Sequence, residues 1–489
     1  MKKYPIFFLL LLLTVNSYSQ DILMEQDICL RSYLSDRRDV YPVLDDLSGK
    51  IALFLLDNDT INALTYSKNY EPLNSCKCPR PNGKFKILIG NTVVQNECNL
   101  FFTNKRKTEF LVKTIDLNNN TSKEYKIPLK LNREEYLESV SYKNKLYILS
   151  RIYYSSIYKL RVFEGCEPAV CIEHDFTKIL SANSKPDRIA DDLYDTPSAT
   201  TTTNIKRIEC SNPNSLDITS EENKLYCYDD KIVLSFDGEK DKTTLITIDL
   251  NNYTYTSKNF KQGELEKTNK LATLSNSYIH GNKLYQLIVN KTGLCFTVHS
   301  LKTDSLLKTY SVKSEEEIYF RNSALLQKID GNGFSTSERE LDKTKQVLRK
   351  LLTGYLGISV YETGNNLEVL LGGIKESPST GSLIAMGLVG TVAVPLVSGG
   401  AYYAVPNYTM NSYSSYANSR SVYFKCLFDK QNLEHVTGNS SPNPFDKIKE
   451  FVGTIKTPQS TQTIFKVNDY FVLGYYSSNE KKYYLRRFE

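Results

Sequence analysis

The stretch SYKNKLYILSRIYYSSIYKLRVFE, Ser141–Glu164, decides how this chain folds. Asn-Lys-Leu-Tyr opens an apolar run, a polar turn follows, and a second run closes the phrase. The phrase returns in ENKLYCYDDKIVLSFDGEKDKTTLITIDLNNYTYTSKNF, Glu222–Phe260, and in HGNKLYQLIVNKTGLCFTVHSLKTDSLLKTY, His280–Tyr310. Such runs of Tyr, Ile, Val and Thr between polar turns read as short strands. Each unit is a small antiparallel meander, repeated every ~40–75 residues, a period that belongs to repeat architectures.

A second ruler lies inside the units. Asp-Leu-Asn-Asn separates two β-runs at Asp116–Asn119 and again at Asp249–Asn252. Asp and Asn bond their own backbone and tolerate turn conformations, so this is turn chemistry. A calcium loop is excluded for Asp116, Asn118 and Asn120, because Thr121 and Ile127 stand where Gly and Glu are required. On this ruler about seven units are counted. They cover Val40–Leu73, Lys84–Leu131, Glu134–Leu180, Asn204–Phe260 and Leu274–Val312, then an interrupted sixth, then a seventh ending at Glu489. Ser181–Thr203 is a polar connector. The pattern resembles the β-propeller superfold over nearly the whole chain after its leader. The expected fold is all-β: a single propeller of seven four-stranded blades, with one short helix and one apolar insertion. No Trp-Asp pair or Asp-box exists, since the chain has no Trp, and Gly372-Gly373 is isolated. The resemblance therefore names a fold and no family.

The sixth unit begins with a capping-box pattern, Ser337-Glu338-Arg339-Glu340, followed by Leu341, Val347, Leu348, Leu351 and Leu352 on one helical face. One helix is expected over Ser337–Thr353. Ile358–Ile374 reads as a hairpin turned at Gly364-Asn365-Asn366, continued only at Ser421. The seventh unit stops after its third run. Ile22–Tyr33 is the candidate for its fourth strand, since closed propellers remove open edges.

The first 19 residues read as a secretory leader: Lys2 and Lys3, the apolar Ile6–Leu13, then Ser17-Tyr18-Ser19. The apolar run is short of the ~20 residues that span a bilayer. Residues 20–489 form the exported propeller, expected in the periplasm, the outer envelope or outside the cell. Removing Lys2 and Lys3 lowers the formal charge from +6 to +4, which argues against a nucleic-acid partner. Among ten cysteines, Cys166 and Cys171 flank Glu-Pro-Ala-Val and are the candidate disulfide; most others sit in apolar runs as buried thiols. The Cys76-x-Cys78 spacing fits no zinc pattern, and no metal or cofactor is expected.

One segment does not fit. Residues 377–419 carry no charge, and within them lies LIAMGLVGTVAVPLVSGGAYYAV, Leu383–Val405. Three readings stand: a membrane span, disfavoured because it would divide the propeller; an apolar hairpin that meets a membrane surface or a partner; or a flap folded across the propeller's own channel. The contact candidates are Leu383, Ile384, Met386, Leu388, Val389, Val392, Val394, Leu396, Val397, Tyr402 and Tyr403. Tyr408, Tyr413 and Tyr416 follow and suit an interface or β-structure.

Catalytic residues are not identifiable. His174, His280, His299 and His435 stand alone, each assigned to a different blade. Asp45-Asp46, Asp191-Asp192 and Asp229-Asp230 place adjacent carboxylates on opposite strand faces. The expected function is a monomeric, non-enzymatic propeller that binds an envelope protein or glycan through one face and the apolar insert. The alternative is a carbohydrate-active hydrolase or lyase with its site at the propeller mouth. A third is a structural envelope protein tethered by the insert.

Overall fold

The computed structural model describes residues 21–28, 39–180 apart from 58 and 82, 205–266 apart from 240, 273–330, 336–375, 406–418, 421–455 and 461–489. Seven sheets follow one another along the chain. Blade 1 holds Asp39–Leu44, Ile51–Leu56, Thr60–Tyr66 and Pro72–Pro79. Blade 2 holds Ile87–Val94, Glu97–Thr103, Glu109–Asp116 and Thr121–Lys130. Blade 3 holds Glu134–Tyr142, Lys145–Ile152, Ile157–Glu164 and Glu167–Asp175. Blade 5 holds Leu274–His280, Lys283–Val289, Gly293–Ser300 and Leu306–Lys313. Each of these is a four-stranded meander in sequence order. The protein is a seven-bladed β-propeller.

The Asn-Lys-Leu-Tyr phrase works because a blade is covered on both faces by its neighbours. Leu146 and Tyr147, Leu225 and Tyr226, and Leu284 and Tyr285 are all buried, although successive residues point to opposite sides. The core is accordingly a set of layers between blades. Phe54, Leu56, Leu100 and Phe102 pack between blades 1 and 2, and Leu149, Leu160, Leu225 and Leu234 between blades 3 and 4. The turn before the phrase has left-handed backbone at Lys143 and Asn144, and at Gly281 and Asn282, the geometry of a two-residue hairpin. In the second ruler Asp116 Oδ1 accepts from the Asn118 and Asn119 amides, and Asp249 Oδ1 from those of Asn251 and Asn252. Asp429 repeats the arrangement with Gln431 and Asn432.

Two blades have five strands where four are expected. Blade 4 adds Ile205–Ile208, which runs parallel to Asn223–Tyr228, ahead of Lys231–Phe236, Lys242–Asp249 and Tyr255–Lys261. The connection contains the single turn α1, Leu216–Thr219. Blade 6 takes Tyr355–Thr363, Asn366–Ile374 and Ser421–Asp429, then reaches back to Leu325–Asp330 and Thr336–Leu341. Thus the expected helix over Ser337–Thr353 is corrected. Ser337 and Glu340 pair in register with Ile329 and Leu326 as an edge strand. That stretch has no apolar stripe before Leu341, and an open sheet edge outweighs a local capping pattern. The helix α2 covers only Thr344–Leu351, with Val347, Leu348 and Leu351 buried as expected and no side-chain cap at Lys343. Nor is it the one helix: α3, Tyr408–Asn418, and α4, Pro444–Thr454, precede the last blade.

Blade 7 is closed by the other end of the chain. Thr463–Val467, Tyr470–Ser477 and Lys482–Phe488 are completed by Ile22–Asp27, antiparallel to the last strand. Residues 29–33 of the expected closing segment, the leader, and Leu383–Val405 with every contact candidate named there lie outside the described residues. The proposed disulfide is corrected: Cys166 and Cys171 are free thiols. Glu167–Asp175 is extended, and five residues at ~3.3 Å each separate the two far beyond disulfide reach. Cys166 turns to blade 2, with its sulfur 3.0 Å from Asn99 Oδ1.

Candidate functional site

The inner strands of blades 1, 2, 3, 4 and 7 surround a cavity of about 360 Å³ at one mouth of the central channel. Blades 5 and 6 do not line it, because α1 fills their side. Leu216 packs so close to Gly357 and Gly372 that an added Cβ would lie 3.1 Å and 2.8 Å from its methyl groups. The pocket is thereby offset toward blades 1–4.

Its walls are amides, hydroxyls and rings. Tyr41, buried in blade 1, donates to Asn91 Oδ1 of blade 2 at 2.7 Å. Burial pushes the Tyr41 phenol well above its ordinary range, so the proton stays on it. The bond fixes the Asn91 amide with its NH₂ left as a donor. The Asn91 backbone amide donates to Ser141 Oγ of blade 3 at 2.8 Å. Blades 2 and 3 approach this closely only because residue 90 is glycine: a Cβ there would lie 2.5 Å from Leu146 Cδ1 and 2.7 Å from Ser141 Oγ. At the rim, Asn144 donates through Nδ2 to Asp45 Oδ1 at 2.6 Å and accepts from the Asp46 amide, tying blade 3 to blade 1. Burial holds the Asp46 carboxyl above its usual range.

The floor is built around Arg207. Its guanidinium lies 4.0 Å from the centre of the Tyr408 ring, pairs with Glu209 at 2.5 Å and donates to Ser139 O at 3.2 Å. Burial opposes its charge, but Glu209, Tyr408, Cys227 and Glu138 together outweigh that and hold its pKa above the ordinary arginine value. Tyr408 donates onward to Glu138 Oε1 at 2.7 Å. Tyr408 is placed by Asn407, which caps α3 by accepting from the Met410 amide and fastens it to blade 7 through Thr463 Oγ1 at 2.7 Å. A polar seam holds the rest of α3: Ser412 donates to Asn214 Oδ1, and Ser415 meets Ser215 at 2.6 Å. Two polar atoms of wall residues are buried without a partner among the described residues, the donor Arg207 Nε and the acceptor Asn212 Oδ1.

Of the residues singled out in the sequence, Asp45-Asp46 and Tyr408 arrive here. The histidines do not converge. His174 stacks on Phe176, His280 holds Cys210 O, His299 meets the Phe260 ring and His435 meets Asn322. His280 and His299 both belong to blade 5, which corrects their assignment to separate blades. Among the described residues no group of His, Cys, Asp and Glu could hold a metal ion. Arg207, Asn91, Asn212 and Asn407 carried no motif. Asn91 and Arg207 lie on inner strands, Asn212 on the connection after one, and Asn407 just ahead of α3.

No protein-family model and no curated protein matches the chain. Among solved structures it is similar to an ACO/RPE65 chimera (8% identity, TM-score 0.29, 58% of this chain and 63% of that one). It is also similar to the dihydro-heme d1 dehydrogenase NirN (9%, 0.27, 57% and 48%) and to a mutant of Synechocystis apocarotenoid oxygenase (7%, 0.28, 62% and 64%). The chain thus spans less than two thirds of the length of each. These structures are named as oxygenases and a dehydrogenase, and the expectation of a non-enzymatic, partner-binding propeller is corrected on that finding. Likeness at this level assigns no substrate and no reaction.

Proposed function

We propose that the protein is exported and acts on a small hydroxy acid held in the central pocket. The observation that carries this reading is the pair of orphaned buried atoms on the pocket residues. A buried donor without an acceptor and a buried acceptor without a donor each cost stability until a partner arrives. A carboxylate answers Arg207, and a hydroxyl answers Asn212. The Asn91 and Asn144 amides and the Tyr41, Tyr142 and Tyr408 rings suit a hydroxylated carbon chain. The volume lies at the small end of the roughly 300–1,000 Å³ usual for ligand pockets.

The test compares two molecules of one size, gluconate and sorbitol, by calorimetry on the full exported chain. Gluconate is expected to bind and sorbitol to bind at least about tenfold more weakly. Arg207→Met is expected to abolish the difference while the thermal midpoint shows the variant folded. Equal affinities for the two probes, or no binding of either, would sink the proposal.

A further inference from the structure

Among the described residues, four charged side chains line the central cavity: Asp46, Arg207, Glu209 and Lys466. Three of them are already answered. Asp46 stands exposed at the rim, where its Oδ2 accepts from the Asn144 amide at 3.3 Å. Arg207 and Glu209 pair with each other. Lys466 has no such partner. It lies partly buried on the inner strand of blade 7, in register with Phe471. Its Nζ rests 5.5 Å from the centre of the Phe471 ring and donates to Ser211 O at 3.4 Å, a long hydrogen bond for an ammonium. No carboxylate lies within 4 Å of Nζ among the described residues. Burial works against the ammonium, and Asp469, Glu362 and Glu209 act on it only from a greater distance.

The backbone sets Lys466 close to Arg207. The Asn212 amide donates to Glu209 O at 3.1 Å, closing residues 209–212 into a turn whose ends lie within about 7 Å. The Glu209 side chain holds Arg207 from the start of this turn, and the Ser211 carbonyl holds Lys466 from near its end. Two cationic groups, one from blade 4 and one from blade 7, are thus tied to one short turn in the wall of one cavity. They ask for different things. The Arg207 charge is offset by Glu209, and its Nε remains a buried donor without a partner among the described residues. Lys466 has a charge without a counter-charge in contact. An acid with one carboxylate can answer only one of the two. An acid with a carboxylate at each end answers both, and the amides and hydroxyls of the remaining wall take the hydroxyls between them.

We propose that the ligand of the central pocket is a hydroxylated dicarboxylic acid, with one carboxylate on Arg207 Nε and the other on Lys466 Nζ. This rests on the hydroxy-acid reading above and narrows it to one class of acid.

The experiment adds glucarate to the calorimetric comparison of gluconate and sorbitol on the full exported chain. Glucarate has the carbon chain of gluconate, with a second carboxylate in place of the terminal CH₂OH. It is expected to bind at least about tenfold more tightly than gluconate, the usual gain from a hydrogen bond to a charged group. Lys466→Met, with Lys466→Gln as a second variant, is expected to make the two acids bind alike, and thermal midpoints establish that the variants fold. If gluconate outbinds sorbitol but glucarate binds no tighter than gluconate, this proposal is overturned and the hydroxy-acid reading stands. If neither acid binds, both are overturned. A preference for glucarate that survives in the folded lysine variants also overturns the assignment of Lys466.

Discussion

Asp237 joins two blades by itself. It sits with Lys224 at 3.3 Å, both side chains wholly inaccessible, and accepts from Thr243 Oγ1 in its own blade. It also accepts from the backbone and hydroxyl of Ser277 in the next. Removing one partner of a buried pair strands the other, so Asp237→Ala is expected to cost about 3–5 kcal/mol, read by urea unfolding. Glu134 is a comparable case with a pH signature. Burial works against its charge, but bonds from Arg161 at 2.8 Å and Ser150 at 2.7 Å hold the carboxyl below its ordinary range. A carboxyl whose folded pKa is depressed adds stability above its unfolded pKa and loses it as pH falls through the folded one. Wild type is therefore expected to lose stability below about pH 4.3 more steeply than Glu134→Gln; equal acid limbs would refute this. At Gly90 the missing side chain matters. Gly90→Ala drives a methyl into the buried Leu146 and is expected to cost about 1–3 kcal/mol and to open the seam between blades 2 and 3.

At the level of elements, the meanders were readable because each carries its own turn chemistry and apolar runs. The Asp116 and Asp249 turns and the Asn-Lys-Leu-Tyr hairpins locate strands to within a few residues. Local signals failed where distant partners decide. The Ser337 capping pattern lost to an edge of blade 6 that exists only after the chain has folded back from Ser421. The helix α4 had a legible start, Asn443-Pro444 with Asp446 completing a capping box, which went unread beside the stronger β pattern. The pocket was not readable, since Asn91, Arg207, Asn212 and Asn407 come from four separate elements and share no spacing. The cap at Asn407 gives an element-scale prediction. Asn407→Ala loses the N-cap, worth about 1 kcal/mol, and frees Tyr408 from its place over Arg207. Gluconate affinity is expected to fall more than the thermal midpoint does, whereas a parallel fall would indicate general loosening.

The whole ring depends on its first and last strands meeting. Ile22–Asp27 covers Lys482–Phe488, Met24 is buried between blades 7 and 1, and Glu25 pairs with Lys482 at 3.0 Å. Deleting residues 21–28 leaves blade 7 with an open edge, and such edges recruit other chains. The shortened protein is expected to associate in light scattering and to melt earlier, and a synthetic 21–28 peptide to reverse both effects. A monomer of unchanged midpoint would show that closure is not needed.

The same meeting of ends sets a clock. A ribosome adds roughly 5–20 residues per second, so the strand made first waits on the order of a minute for the strand made last. During that wait the blades at the two ends of the finished series have a neighbour on one side only, and the circle exists as an open arc. Any factor that holds the growing chain meets that arc rather than the closed ring, and the strand Lys482–Phe488, not the repeats, decides when the circle closes.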